Sequence, residues 1–321
     1  MKPSISVIIP VYNREVIVKT ALDSLVSQTF KDFEAVIIDD GSTDQTAETI
    51  ASYNCSNFRY IYQENVGVAA ARNKGIAEAK GDFVCFLDSD DYYEPAFLEK
   101  MYKELTDRKN DVCYCGYYNV TPLRRIKSKT TFRKGDVFLD YLLGNVDVHT
   151  TAYMVRRDFL EKNKLKFTEG VSWGEDVEFF AQVVSKTVKV TCVKEHLTNY
   201  TIFEDREKLS AFTMDKIDKE INFINRLLEK EEFSRNLKAR KALLNYRLSA
   251  LITYRLLKAI SLGGIEQEVL EYYMKYKKEI HRISLNNKLR SVKLNINKLL
   301  LLYRLSKISN QGISLGRGKS E

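Results

Sequence analysis

The sequence predicts an α/β chain, a mostly parallel sheet with helices on both faces, followed by a helical C-terminal region. Three observations predict it. Short β-branched runs alternate with segments of 3.6-residue periodicity through the first ninety residues or so. Those runs are continuously apolar, as strands covered on both sides are. From Thr213 onward the apolar spacing is helical, with Ile217, Ile221, Ile224 and Leu227 at its start.

Ile5 to Ile9 is the first strand, ending at Pro10; Asn13 stands where an N-cap belongs before Val16, Ala21, Leu22, Leu25 and Val26. Ala35 to Ile38 forms the second strand. Asp39-Asp40-Gly41 then turns the chain, and Ser42 with Gln45 gives a capping-box-like start to a helix through Ile50. Phe58 to Tyr62 is a third strand and Val68 to Ala79 a third helix, closed by Gly81. Phe83 to Leu87 is the fourth strand.

At 321 residues, 44% hydrophobic and 29% charged, the chain has room for about two globular units. That composition excludes collagen, a disulfide-dense scaffold and a disordered tail. Five Cys with no CxxC pair predict reduced, mostly buried thiols in a cytosolic protein rather than a zinc site. The apolar start is too short for a signal peptide, and no run reaches the roughly 18 apolar residues of a membrane span. The charge is divided: residues 206–321 hold 25 Lys and Arg against 12 Asp and Glu, whereas residues 1–205 hold 26 against 31. The expected domains are therefore 1–205 and a basic, mainly helical 206–321.

Ligands of parallel α/β sheets bind beyond the carboxyl ends of the strands. Polar residues gather there: Tyr12 and Asn13 after the first strand, Asp39 and Asp40 after the second, Asp88-Ser89-Asp90-Asp91 after the fourth. Singly, each reads more readily as a turn or cap residue; their gathering at one edge is harder to dismiss. Asp88 and Asp90, two apart in an extended segment, would point the same way, and two close carboxylates call for a cation. Hard oxygen ligands suit Mg²⁺ or Mn²⁺ on a diphosphate, although an acidic turn capping the next helix would look the same. Glu175 and Asp176 open another helical pattern, where carboxylates are also simply stabilising. Trp173, the only Trp, is a candidate to stack on a sugar or to fill a core. His149 beside a turn is a further candidate, with a structural role the commoner one.

Taken together, Ile8-Ile9-Pro10-Val11-Tyr12-Asn13, Asp39 to Asp44, Asn65-Val66-Gly67 with Ala71-Arg72-Asn73, Asp88 to Asp91, and Trp173-Gly174-Glu175-Asp176 follow the order of a family 2 glycosyltransferase. The chain resembles that family, of the bacterial surface-polysaccharide type, over roughly residues 1–205. The resemblance implies the Rossmann-like GT-A fold and an inverting, metal-dependent transfer of a sugar from a nucleotide donor, UDP-linked, to a glycan hydroxyl. It places Pro10 and Tyr12 at the nucleoside, Asp40 on the uracil ring, and Asn65 and Arg72 at base and phosphate. Asp88, Ser89 and Arg206 join the donor site, with Asp90 and Asp88 holding Mn²⁺ or Mg²⁺. Asp176 is implied as general base, and Trp173, Glu175 and His149 as acceptor-side residues. His196, Tyr200 and Ser210 lie near where relatives carry residues that touch the diphosphate.

Two other readings compete. A sugar nucleotidyltransferase would need a glycine-rich loop after the first strand, where Pro10 to Asn13 stands instead. A nucleotide-sugar-binding scaffold would have no chemical need for Asp88, Asp90 and Asp176 together. Near the C-terminus, Leu-rich positions interleave with Lys and Arg between residues 285 and 308. Such helices lie on anionic membranes or pack on a subunit, so a cytoplasmic location at the inner membrane face and a lipid-linked acceptor are expected, and nucleic acid is not.

Overall fold

The computed structural model describes residues 2–107, 109–146, 148–171, 173–203, 213–263, 266–282 and 288–316. The chain gathers into two compact units, Met1–Tyr141 with Asn145–Glu207, and Leu142–Gly144 with Lys208–Glu321.

The first unit opens with the repeated strand–helix pattern: β1 (Ile5–Val11), α1 (Val18–Val26), β2 (Phe33–Asp40), α2 (Thr46–Ala51), β3 (Phe58–Gln63), α3 (Val68–Glu78) and β4 (Phe83–Phe86). There follow β5 (Tyr92–Tyr93), α4 (Phe97–Asp107), β6 (Val112–Val120), β7 (Arg125–Lys127), α5 (Phe138–Leu142), a 3₁₀ turn at Thr150–Ala152, β8 (Tyr153–Arg156), α6 (Arg157–Lys162), α7 (Glu175–Ser185) and β9 (Val190–Thr201). The strands form one sheet in the order β3-β2-β1-β4-β8-β6-β9-β5, with β7 beside β6. β3, β2, β1 and β4 run parallel, and β8 is antiparallel to β4 and β6.

Alternation along the strands sends residues to two cores. Val7, Ile9 and Cys85 pack with Leu22 and Leu25 of α1 and Leu98 and Met101 of α4. On the opposite face Val36 and Ile38 meet Ala71 of α3, while Phe86 stands edge-on to Phe167, Phe179 and Phe180, the last two from α7. α3 lies so close to β1 that a Cβ on Gly75 would come within 2.3 Å of Ile8. Helices thus cover both faces, as expected.

Two helix starts differ from expectation. Asn13 does not cap α1; it adopts φ 50°, and its side-chain oxygen accepts from the Thr43 amide at 2.8 Å. Ser42 does not cap α2, because its hydroxyl accepts from the Asn13 amide at 2.9 Å. Both caps are diverted to lace the β1–α1 loop to the β2–α2 loop, and each helix begins a few residues later.

Glu34 stitches the amino ends of three strands. Buried on β2, it accepts from Ser6 Oγ and the Lys80 amide, each at 2.7 Å, and from Arg59 at 2.9 Å. Burial alone would push its carboxyl up, but Ser6, Lys80 and Arg59 outweigh it and hold it below the usual range. A group lowered in the folded state adds stability above its unfolded value near about 4.3 and loses it as pH falls through the folded one. Glu34→Gln is therefore expected to cost about 1–3 kcal/mol at pH 7, and the difference from wild type should close below about pH 4. Denaturant melts at both pH values measure it; an unchanged gap would refute the linkage.

The second unit is helical: α8 (Lys216–Glu229), α9 (Glu231–Ser234), α10 (Leu237–Lys241), a π-helical stretch at Ala242–Leu248, α11 (Ser249–Ser261), α12 (Glu266–Lys275), α13 (Lys277–Ile280) and α14 (Lys288–Gly316). Its core holds Ile217, Phe223, Ile224, Phe233, Leu243, Ile252 and Leu256. The buried Glu220 accepts from Arg255 at 2.5 Å. No helix among the described residues is long and apolar enough to cross a membrane.

Candidate functional site

The carboxyl ends of β1, β2 and β4 lie side by side because these strands pair in register, Ile8 beside both Val36 and Phe86. Their polar extensions form two clusters.

The first surrounds Asp40. Its carboxylate accepts from Gln63 Nε2 at 2.7 Å and from the amides of Val66 and Gly67 at 3.1 and 2.8 Å. These bonds fix the loop that carries the exposed Asn65 into α3. Gly41 (φ +85°) turns beneath that loop, where an added Cβ would sit 2.8 Å from the Asn65 amide nitrogen. Only glycine satisfies both demands. Pro10 is buried in β1, whereas Tyr12 just beyond it keeps 46% of its surface exposed.

The second cluster is centred on Arg72. α3 buries this guanidinium so that it donates to Asp88 at 2.7 Å and to Glu175 at 3.2 Å, over the Phe167 ring. Arg72 joins α3, the end of β4 and the first turn of α7. Burial alone would lower its pKa, but Asp88 and Glu175 keep it firmly charged. Asp88 feels the reciprocal effect: burial would raise it, yet Arg72 and then His149 hold it below the usual carboxylate range.

Residues 88–91 are not the extended segment expected: they fold into a turn closed by the Asp91 amide on the Asp88 carbonyl at 3.0 Å, with Asp88 and Asp90 still close enough that the charge of Asp88 raises Asp90. Ligand atoms of Asp88, Asp91 and His149 lie within 4.8 Å of one another. Asp91 is almost fully buried; one oxygen accepts from the Thr201 amide at 2.8 Å, and the other has no hydrogen-bond partner among the described residues. That second oxygen lies 3.6 Å from His149 Nδ1. Burial and the neighbouring charges of Asp88 and Asp90 raise Asp91 well above the usual range. Burial and then Asp88 also raise Asp90, with Arg14 acting against them. Crowded carboxylates raised in this way are what a divalent cation would relieve, and the buried orphan oxygen beside an imidazole fits one.

Asp176 follows Glu175 in the first turn of α7. One oxygen accepts from the Val177 amide at 2.7 Å and the other from the Thr150 hydroxyl at 3.1 Å. Thr150 is adjacent to His149, whose ring stands 4.5 Å from Tyr200. Burial lowers His149, with Asp88 and Asp176 pulling it back up. Glu175 is raised, by burial first and then by Asp176, despite Arg72.

Arg72, Asp88, Asp91, His149, Glu175 and Asp176 therefore belong to one charged cluster, with Asp90 beside it. Ser89 is buried in the same turn. Trp173 precedes Gly174, whose φ of 79° sets the entry to α7. His196 does not join them: its Nε2 lies 3.0 Å from the Ser128 carbonyl, and its ring stands edge-on to Phe132. Arg206 and Ser210 lie outside the described residues. Sequence reasoning missed Asp91 and Thr150 as site residues. Asp91 stands in the acidic run itself, but nothing local showed that it, rather than Asp90, turns inward to His149.

A family model described as glycosyl transferase family 2 matches residues 6–175. EpsJ of Bacillus subtilis (strain 168), an uncharacterised glycosyltransferase, is 29% identical over 211 residues, which cover 62% of this chain and 61% of EpsJ. That match thus spans less than two thirds of EpsJ. YibD of Escherichia coli (strain K12), also an uncharacterised glycosyltransferase, is 29% identical across 94% of this chain and 92% of its own. The crystal structure of S. aureus TarS 1-349 in complex with UDP-GlcNAc superposes with a TM-score of 0.71 at 23% identity, covering 96% of this chain and 92% of that one.

Proposed function

The chain belongs to glycosyl transferase family 2 and has the GT-A fold, and we propose that it moves a sugar from a UDP-linked donor to a hydroxyl of a growing surface glycan, with inversion. One observation carries this reading: Arg72 ties Asp88 at the end of β4 to Glu175, one residue before Asp176. Diphosphate-side and acceptor-side groups are thereby held in a single network.

The roles divide as follows. Asp40 sets the Asn65 loop and keeps lone-pair capacity on its second oxygen for the imide N–H of uracil, against Tyr12 and Pro10. Asp88, Asp91 and His149, with Asp90 adjacent, would hold a divalent cation; the imidazole favours Mn²⁺ over Mg²⁺. Bound there, the cation would offset the charge that builds on the departing diphosphate. Arg72, Ser89 and Arg206 complete the donor side. Asp176, steadied by Thr150 and the Val177 amide, takes the proton of the attacking hydroxyl. A base opposite the leaving group is what a one-step displacement needs. Trp173 and Glu175 border the acceptor, whereas His149, expected there too, is given to the cation with Asp88 and Asp91.

Residues 1–205 would thus form the catalytic domain and residues 206–321 an accessory helical one. The basic second part suits a lipid-linked acceptor at the inner face of the cell membrane, with the chain otherwise cytoplasmic.

The test is a thermal-shift panel of UDP, GDP and dTDP and their common sugar conjugates, each with Mn²⁺ and with EDTA. Stabilisation by uridine nucleotides that disappears in EDTA is expected; at a ligand concentration a hundred times Kd it corresponds to about 2.7 kcal/mol. A preference for guanosine or thymidine nucleotides would overturn the UDP assignment. A uridine shift indifferent to EDTA would overturn the metal site.

A further inference from the structure

We propose that the outward face of α14 is a docking surface for an anionic lipid bilayer. α14 carries two apolar stripes where packing requires one. Leu294, Leu301, Leu305 and Ile308 are buried, and the helix packs on α11. Val292, Ile296, Leu299, Leu300 and Tyr303 recur at the same three- and four-residue spacing yet remain exposed, between 40% for Leu300 and 68% for Leu299. At 3.6 residues per turn the two stripes lie roughly opposite one another on the helix. The outer one is about 17 Å long and contiguous. A soluble helix satisfied by its own core has no reason to keep such a face, so it marks an interaction site.

Charge identifies the occupant. Over its 29 residues α14 has six Lys and Arg and no Asp or Glu. Arg290 and Lys298 are turned to the protein, donating to the Gly144 and Arg282 carbonyls. Arg304 donates to Ser261 Oγ at the end of α11 at 2.9 Å, which leaves Lys293 and Lys307 to edge the outer stripe, with the Lys307 ammonium 4.8 Å from the Tyr303 ring centroid. An apolar strip with a cationic rim and an aromatic ring among its aliphatics matches the boundary of an anionic bilayer, where acyl chains take the strip and headgroups take the rim. A symmetric antiparallel pairing of two copies through this face would set one cationic edge beside the other. Nucleic acid would leave the apolar strip uncovered.

The proposal does not depend on the glycosyltransfer reading, and its test involves no sugar transfer. The full chain is floated with vesicles of phosphatidylglycerol and phosphatidylcholine in equal parts and with vesicles of phosphatidylcholine alone. Binding to the anionic vesicles, weakened by salt, is expected. Ile296→Ser with Leu299→Ser, and separately Lys293→Glu with Lys307→Glu, should each weaken it about tenfold or more without changing the melting temperature. Leu123→Ser, which alters a still more exposed leucine of the first unit, should leave it intact. Absence of binding, equal binding to the neutral vesicles, or equal loss in Leu123→Ser would overturn the proposal. So would a wild-type dimer, seen by light scattering, that Ile296→Ser with Leu299→Ser dissociates, because the stripe would then face a second copy.

Discussion

Asp176→Asn is expected to lower turnover by about 10²–10⁴-fold while leaving the UDP-dependent thermal shift within experimental error of wild type. The substitution keeps shape and hydrogen-bonding capacity. Asparagine can still accept from the Val177 amide through its oxygen and donate to Thr150 through its nitrogen, replacing the two bonds seen at 2.7 and 3.1 Å. It cannot take a proton from an acceptor hydroxyl. Glu175 provides the control, one position earlier on the same helix. Its carboxylate is engaged by Arg72 at 3.2 Å, so Glu175→Gln should disturb stability and donor affinity more than the proton-transfer step. Single-turnover kinetics on both variants separate these effects. Near-wild-type chemistry in Asp176→Asn would refute its role as base, and a larger chemical defect in Glu175→Gln would move that role by one residue.

The part of the molecule that the sequence discloses is the part built from local pattern. β1, β2 and β4 are nearly continuous apolar runs because both their faces are buried, and such runs need no knowledge of the rest of the chain; β3, at the sheet edge, is only partly buried and alternates Arg59, Tyr60 and Tyr62 with Phe58 and Ile61. The strands of the second half are harder to read. β6 mixes Cys, Gly and Tyr and pairs with β9 through a register shift at Gly116, while β5 and β7 have only two and three residues. Side-chain roles follow the same division. That Asp88 and Asp176 lie at the ends of elements is visible in the sequence. That Asp40 is filled by the amides of Val66 and Gly67, or that Asp91 turns toward His149 almost sixty residues away, depends on how separate loops meet. Asn13 and Ser42 show the converse: both have cap chemistry, and tertiary contact between the two loops puts that chemistry to another use.

Arg72→Met should destabilise the first unit by about 3–5 kcal/mol at pH 7.5, with the deficit shrinking toward pH 5. The guanidinium is buried between two carboxylates, and Met fills similar volume without charge. Asp88 and Glu175, with Asp90, Asp91 and Asp176 around them, would then lack the guanidinium that balances them. In the wild type, Arg72 lowers Asp88, so that carboxylate supports the fold above its unfolded pKa. Without Arg72, burial would raise Asp88 as it already raises Glu175. A carboxyl raised in the folded state opposes folding increasingly as pH rises and ceases to do so once protonated in both states. The penalty must therefore grow with pH. Mn²⁺ should restore part of the loss at pH 7.5, since a cation at Asp88, Asp91 and His149 would supply positive charge where the guanidinium was removed. Arg72→Lys should fall between, because one ammonium cannot bridge Asp88 and Glu175 in the forked geometry. Trp173, the only Trp and two residues from Glu175, makes its fluorescence in denaturant titrations a reporter of this unit. An equal deficit at pH 5 and 7.5 would mean that Arg72 serves packing over Phe167 rather than charge balance.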